Sequence, residues 1–125
     1  MTLGEALSKI DVYKPNQRST DEKLFWLTQL DGMLKTQLID NHDTDIDTSG
    51  FEPYTQTTPS TQELLVPAPF DSIYVYWLAA NIDLVNQEID KYNNSASLYD
   101  SARLSFADWV NHYKAFKNPK PCWRF

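Results

Sequence analysis

The sequence predicts a small all-α domain of about four helices, with a long proline-rich loop between the second and the third. Apolar residues recur at steps of three or four positions in several stretches, which is the spacing of one face of an α-helix. Residues that favour helix N-caps stand where three of these stretches begin. The 125 residues suffice for one domain with a core, since 42% are hydrophobic and 14% are aromatic. The predicted helices cover approximately residues 2–11, 20–39, 71–92 and 95–116.

The first two predicted helices each begin at a capping residue and carry one apolar stripe. Thr2 is the expected N-cap of the first helix, which ends near Pro15 because proline disfavours the helical state of the residue before it. Ser19 and Glu22 form a capping-box pattern at the start of the second helix. The stripe of the first helix contains Leu3, Ala6, Leu7 and Ile10, and that of the second contains Leu24, Leu27, Leu30, Leu34 and Leu38.

Residues 41–70 are predicted to form a long loop. The stretch begins with a run of aspartates and continues with prolines separated by threonines and serines. Loops of this length are unusual in a compact domain and are typically functional or disordered. We expect residues 63–66 to form one short strand or an extended arm, and the loop to add little to a monomer. An oligomer could use it to reach a neighbour, so we expect it to be mobile in a free subunit and fixed in an assembled particle.

The third and fourth predicted helices form an antiparallel hairpin. Asp71 is the expected N-cap of the third helix, and residues 93–95, Asn-Asn-Ser, are expected to form the connecting turn. The third helix carries two apolar stripes, so we expect two of its sides to be buried, one of them against another subunit. The stripe assigned to that intersubunit contact contains Ile73, Trp77, Ala80 and Leu84, and the other contains Tyr74, Leu78, Ile82, Val85, Ile89 and Tyr92.

Charge divides the chain into an acidic body and a basic C-terminal arm. The chain has 17 acidic and 11 basic residues, and every acid lies at or before Asp108. Residues 1–113, the predicted helical domain, carry 17 acids against 7 bases, a net charge of −10, whereas residues 114–125 carry +4. We expect this arm to be extended, because prolines interrupt it, and to dock on an acidic surface. The side chains assigned to that contact are Lys117, Lys120, Trp123 and Phe125.

Composition excludes several classes of protein. The acidic balance and the lack of a basic stripe argue against a protein that grips nucleic acid. No apolar run approaches the roughly 20 residues needed to span a bilayer. The first residues have neither the basic start nor the apolar stretch of a signal peptide, so we expect no targeting segment. Cys122 is the single cysteine, which excludes an internal disulfide and suits a reducing cytoplasm.

No motif in the sequence indicates a metal site of known type. Asp43, Asp45 and Asp47 begin like a calcium-binding loop, but Thr48 and Tyr54 replace the glycine and glutamate that an EF-hand requires. The aspartates are therefore interpreted as part of a solvated acidic loop.

Histidines and possible nucleophiles show no catalytic arrangement. His42 and His112 are far apart in the sequence and lack the partners of a zinc motif. The three glycines do not form a phosphate-binding loop, and there is no GxSxG elbow. We therefore expect no cofactor and no enzymatic activity. The alternative is a metal-dependent enzyme that uses the loop aspartates with His42 nearby and is stabilised by calcium, magnesium or manganese.

The pattern of residues 20–113 resembles that of a family of small proteins from tailed phages and prophages of Gram-positive bacteria. The resemblance rests on the run Leu64–Asp71, LLVPAPFD, and on the segment Tyr92–Ser95, YNNS. These proteins are similar to phage head-tail connector, or adaptor, proteins. Further matching positions are Lys23–Leu27, Leu30–Gly32, Tyr74, Tyr76–Leu78, Ile82, Asp83, Asn86 and Glu88.

The resemblance implies a structural role and no catalytic residue. Such connectors are small helical domains that form a homo-oligomeric ring beneath the portal protein, extend the DNA channel and dock the next neck component. The implied partners are other copies in a dodecameric ring, the portal protein and a downstream neck or tail protein, while DNA passes through without sequence-specific binding. The expected location is the virion neck, after synthesis in the cytoplasm of the host bacterium and without membrane association. The alternative in the same class is another head-completion, tail-terminator or assembly protein.

Overall fold

The computed structural model describes residues 1–39, 51–67 and 69–113, with side chains through Asn111. Its elements are α1 (Leu3–Tyr13), α2 (Thr20–Leu34), a π-helical turn that continues α2 (Lys35–Ile39), α3 (Ser72–Val85) and α4 (Ile89–Tyr113). No β-strand forms within these residues, and the bridge between Thr2 and Glu63 is isolated. The predicted small all-α fold is therefore confirmed. None of the described helices has both the length and the apolar character needed to cross a membrane.

The first two helices begin at their predicted capping residues. Thr2 and Glu5 form a reciprocal capping box, in which the Glu5 N–H donates to Thr2 Oγ1 at 3.2 Å and the Thr2 N–H donates to Glu5 Oε1 at 3.1 Å. The hydrogen bond from the Thr2 backbone lowers the pKa of the Glu5 carboxyl. At the start of α2 the Glu22 N–H donates to Ser19 Oγ at 3.2 Å. The sequence signals therefore identify both helix starts correctly.

The third helix lies at the centre of the domain, where it packs against α1, α2 and α4. Both apolar stripes are buried along the first three turns of α3 against helices of the same chain, whereas Leu84 and Val85 at its end are exposed. The prediction that one stripe faces another subunit is therefore wrong for its fully buried members, because the other three helices already surround α3. The buried residues of α3 are Ile73, Tyr74, Leu78, Ala79, Ala80, Ile82 and Asp83.

The turn between α3 and α4 lies earlier than predicted. α3 ends at Val85 and α4 begins at Ile89, so the predicted helix 71–92 is too long and the predicted turn at residues 93–95 lies inside α4. The turn has the hydrogen bonds of a Schellman motif: the Gln87 N–H donates to the Leu84 carbonyl (3.1 Å), and the N–H of the next residue donates to the Asp83 carbonyl (2.9 Å). Gln87 has a φ of 61°, in the region where glycine is usual.

The hairpin of α3 and α4 is antiparallel, as predicted. Aromatic side chains mark the pairing: the rings of Trp77 and Tyr99 have centroids 4.9 Å apart, and Phe70, just before α3, contacts Phe106 (5.9 Å) and Trp109 (5.5 Å) near the end of α4. Later residues of α4 thus lie beside earlier residues of α3. Residues 114–116, the predicted last turn of the fourth helix, lie outside the described residues.

The described part of the loop packs on the helices and contributes to the core. Tyr54, Leu64 and Val66 are 7%, 6% and 0% exposed. The expectation that the loop adds little to a monomer is therefore wrong for residues 51–67. The isolated bridge at Glu63 is the only β-type pairing of this stretch among the described residues, so residues 63–66 form no regular strand and pack on the helices instead of projecting as an arm. Residues 41–50 and Ala68 lie outside the described residues.

Candidate functional site

A large groove lies along the described part of the loop. Residues 51–55, 57–59 and 62–67 line it together with Met1, and its volume is about 1360 Å³. Pockets for small molecules typically have volumes of about 300–1,000 Å³. The groove is therefore better suited in size to a segment of polypeptide than to a small molecule.

A buried carboxylate, that of Asp31 in α2, holds two stretches of the groove lining. The Tyr54 hydroxyl donates to Asp31 Oδ2 at 2.5 Å, and the Leu65 N–H donates to the same oxygen at 3.4 Å. The Tyr74 hydroxyl donates to Asp31 Oδ1 at 2.7 Å and accepts from the Val66 N–H at 2.7 Å. Asp31 therefore joins α2 and α3 to two parts of the loop, residue 54 and residues 65–66, in one hydrogen-bond network.

The electrostatics of this network favour a positioning role. Asp31 is 0% exposed, and burial raises the pKa of its carboxyl even though the hydrogen bonds from Tyr54, Tyr74 and Leu65 lower it. Burial, followed by the Asp31 charge, also raises the pKa values of the Tyr54 and Tyr74 hydroxyls, which remain protonated donors at neutral pH. Because both carboxylate oxygens accept from groups of the same chain and neither reaches solvent, Asp31 holds the loop in place and is not arranged to exchange a proton with a substrate.

Further hydrogen bonds attach the loop to α1 and α2. The Gly4 N–H donates to the Ser60 carbonyl at 2.9 Å, and a Cβ atom at Gly4 would lie only 3.0 Å from Ser60 Cβ. Any larger residue at position 4 would force Ser60 to move by a few tenths of an ångström, so the close approach of the two segments favours glycine there. The Tyr54 N–H donates to Thr28 Oγ1 at 2.9 Å. The groove lining is thus fixed at several points before any partner binds.

The groove combines an apolar lining with exposed acids. Glu52 and Glu63 are both exposed, and none of the described residues that line the groove is a lysine or an arginine. The N-terminal amine of Met1 lies 3.7 Å from the Glu63 carboxylate and 3.4 Å from that of Asp71. The amine offsets part of this negative charge, whereas Glu52 has no ion-pair partner among the described residues, so the groove suits a ligand that is apolar and carries some positive charge. The apolar lining residues that remain accessible are Met1, Phe51, Pro53, Pro59, Leu65 and Pro67, whereas Tyr54, Leu64 and Val66 are buried.

The four residues assigned to an intersubunit stripe are not equivalent in the structure. Ile73 is 0% and Ala80 is 5% exposed, so both belong to the core of the protomer. Trp77 is half-buried, and its Nε1–H donates to the Trp26 carbonyl at 2.8 Å. A polar substitution of Trp77 would therefore disturb the fold itself. Leu84 is 49% exposed and remains available for a contact with another molecule.

The other sequence-predicted positions are not placed by the structure. Lys117, Lys120, Trp123 and Phe125 lie outside the described residues, as do His42 and the aspartates of residues 43–47. Within the described part of the chain, no three histidine, cysteine or acidic side chains come together as a metal site.

A second buried acid, Asp83, joins α1, α3 and α4. The Ser95 hydroxyl of α4 donates to Asp83 Oδ2 at 2.8 Å. Lys14, which caps the C-terminus of α1, places its Nζ 3.0 Å from Asp83 Oδ1. That contact is an ion pair without hydrogen-bond geometry, so Oδ1 has no hydrogen bond to a described residue. The Asp83 interactions fix the end of α1 beside the hairpin of α3 and α4.

The sequence contained a signal for Asp31 that pattern analysis missed. Asp31 lies four positions after Leu27 and three before Leu34, both of which are buried, so it lies on the apolar side of α2. A carboxylate at such a position is buried and needs donors from elsewhere in the fold. Tyr54 gave no comparable signal, because its partner is distant in the sequence.

Comparisons with known proteins do not assign the chain to a family. No family model matches the sequence, and no curated protein or solved structure is significantly similar to it.

Proposed function

We propose that the chain is a structural protein of a tailed-phage virion, a head-tail connector or adaptor that forms a homo-oligomeric ring beneath the portal protein. In this role the ring extends the channel through which DNA passes and docks the next component of the neck. The proposal draws on the resemblance of residues 20–113 to such proteins. The physical observation that carries it is the acidic character of the helical body.

The body carries net charge −10 over residues 1–113, and acids of the same chain neutralise several of its bases. The Lys23 ammonium group lies 2.7 Å from an Asp11 carboxylate oxygen, and that of Lys14 lies 3.0 Å from Asp83. A surface of this kind repels phosphate groups, so DNA moves past it without sticking. The lining of a DNA channel requires this property, whereas a genome-binding protein would need a basic stripe.

A closed ring also needs two different contact surfaces on each subunit. The turn between α3 and α4 is a candidate for one of these surfaces, because three apolar side chains are exposed there: Leu84 (49%), Val85 (44%) and Ile89 (56%). Leu84 is the exposed member of the apolar stripe that the sequence assigns to an intersubunit contact. The loop groove is a candidate for the second surface, since it is large, partly apolar and lined by none of the residues of this turn.

The proposal is tested by imaging the purified full-length chain by negative-stain electron microscopy, alone and mixed with the portal protein of the same phage. We expect class averages with a central channel, stacked coaxially on the portal in the mixture. Duplex DNA should not be retained by the protein on a filter at low ionic strength. A chain that stays monomeric with and without the portal would overturn the proposal, and a chain that caps tail tubes but ignores portals would make it a tail terminator.

A further inference from the structure

We propose that the loop groove of one copy receives the C-terminal segment, residues 114–125, of a second copy, so that the two copies join head to tail. The inference deepens the proposed ring function and rests on it, because it names the partner of one ring contact. It commits to this segment because its basic and aromatic side chains complement the exposed acids and the apolar residues of the groove, where the Met1 amine is the one positive group among the described lining residues.

The charges of the two surfaces are complementary. The groove is lined by the exposed acids Glu52 and Glu63, without a lysine or an arginine among its described residues. The segment carries four basic residues and no acid, because the last acid of the chain is Asp108. Opposite charges on two surfaces steer association and disfavour incorrect partners.

The apolar parts of the two surfaces are complementary as well. The segment ends in Cys-Trp-Arg-Phe, so two aromatic side chains and one arginine lie within its last three positions. Tryptophan and arginine are the residue types most often responsible for binding energy at protein interfaces, where they fill well-packed pockets. The groove offers apolar side chains such as Phe51, Leu65 and Pro67, and its volume of about 1360 Å³ admits several side chains at once.

The groove is organised before binding. Asp31 holds Tyr54 on one stretch of the lining and the Leu65 N–H on the other, and Tyr74 holds the Val66 N–H. A lining that is already fixed loses little conformational entropy when a partner binds, so more of the contact energy appears as affinity.

The length of the segment suits a contact between copies. The described part of α4 ends at Tyr113, near the Phe70 end of the hairpin, and twelve residues follow. Twelve residues can span at most roughly 40 Å, at about 3.3 Å per residue, whereas the radius of gyration of a 125-residue domain is about 14 Å. The segment is therefore long enough to cross to a neighbour. A head-to-tail contact leaves one groove and one segment for the next copies, which is the arrangement that closes a ring.

The test uses the full-length chain with Trp123→Ala and Phe125→Ala as the receptor, so that its own segment cannot compete. The probe is a fluorescein-labelled peptide of residues 114–125 with serine in place of Cys122, and the readout is fluorescence anisotropy. We expect saturable binding that weakens about tenfold or more when Glu52→Lys and Glu63→Lys are added to the receptor. The matched control, Asp100→Lys with Asp108→Lys, makes the same charge change at exposed positions of α4 and should bind the peptide as the receptor does.

Sedimentation velocity on the full-length chain completes the test. We expect concentration-dependent association of the wild-type chain, and a monomer for the variant with Trp123→Ala and Phe125→Ala. The inference would be overturned if peptide binding fell equally in the groove variant and in the α4 control. It would also be overturned if the wild-type chain stayed monomeric because its segment binds its own groove. Rings that form with the aromatic tip removed would refute the inference while leaving the connector function standing. Peptide binding at the groove without attachment to a portal would refute only the connector function.

Discussion

Removing the Tyr54 hydroxyl is a small change that tests the network around Asp31. In Tyr54→Phe the carboxylate loses a hydrogen bond of 2.5 Å but keeps those from Tyr74 and Leu65. Hydrogen bonds to charged groups contribute about 1.5–3 kcal/mol to stability. We therefore expect the free energy of unfolding to fall by about 2 kcal/mol, a large part of the 5–15 kcal/mol typical of a domain.

The structure also predicts the order of three substitutions. Tyr74→Phe should cost more than Tyr54→Phe, roughly 3 kcal/mol, because it also removes the acceptor of the Val66 N–H. Asp31→Ala should cost the most, roughly 4 kcal/mol, since two buried hydroxyls and the Leu65 N–H lose their acceptor together. The order follows from the number of polar groups that each change leaves without a partner.

Urea unfolding, followed by circular dichroism and tryptophan fluorescence, measures these differences. A loss of about 2 kcal/mol moves the midpoint by about 1 M for a chain of this size. The control is Tyr76→Phe, since the Tyr76 hydroxyl makes no hydrogen bond to any described residue and the substitution should cost less than about 0.5 kcal/mol. If Tyr54→Phe is no less stable than this control, the hydrogen bond to Asp31 does not hold the loop and the reasoning fails.

Two other predictions concern pH and the turn between α3 and α4. The pKa of Asp31 is higher in the folded protein than its ordinary 3.8, so the folded state binds this proton more tightly than the unfolded state does. The resulting stabilisation of the folded state is complete at low pH and is lost as the pH rises through the folded-state pKa. The stability of the wild type relative to Asp31→Asn should therefore decrease as the pH rises above 3.8 in urea titrations, and a constant difference would contradict this. Gln87→Gly should raise the free energy of unfolding by roughly 1 kcal/mol, because glycine adopts a φ of 61° without the strain of a Cβ atom. An unchanged melting temperature would show that position 87 stores no strain.

The sequence predicts a helix boundary correctly where a capping residue marks it, and it misplaces a boundary where no such residue is present. Thr2 and Ser19 identify two helix starts, because their side chains satisfy backbone groups within the next turn. The end of α3 carries no such signal, since Gln87 occupies the position where a Schellman motif normally has glycine. Asn93 and its neighbours predict a turn that does not form, because Ser95 is buried and bonds to Asp83.

The partners of a buried surface are harder to predict than its existence. The two stripes of α3 correctly indicate burial on two sides, yet an apolar stripe does not specify whether its neighbour is the same chain or another. In the structure α1, α2 and α4 supply the neighbours, which removes Ile73 and Ala80 from any contact surface. The loop groove had no sequence signal of its own, because Tyr54 and Leu65 meet at Asp31 only in the folded chain.

The physical reason for a buried acid in α2 lies in the backbone of the loop. Residues 51–67 contain no helix and no regular strand, so their buried N–H groups cannot pair within a secondary-structure element. An unpaired buried N–H costs about 1–3 kcal/mol. Asp31 accepts the Leu65 N–H directly and the Val66 N–H through Tyr74, which an apolar side chain in the same stripe could not do. The desolvation of one carboxylate therefore allows an irregular chain to be buried along a fixed path, and that fixed path shapes the groove to which we assign a partner.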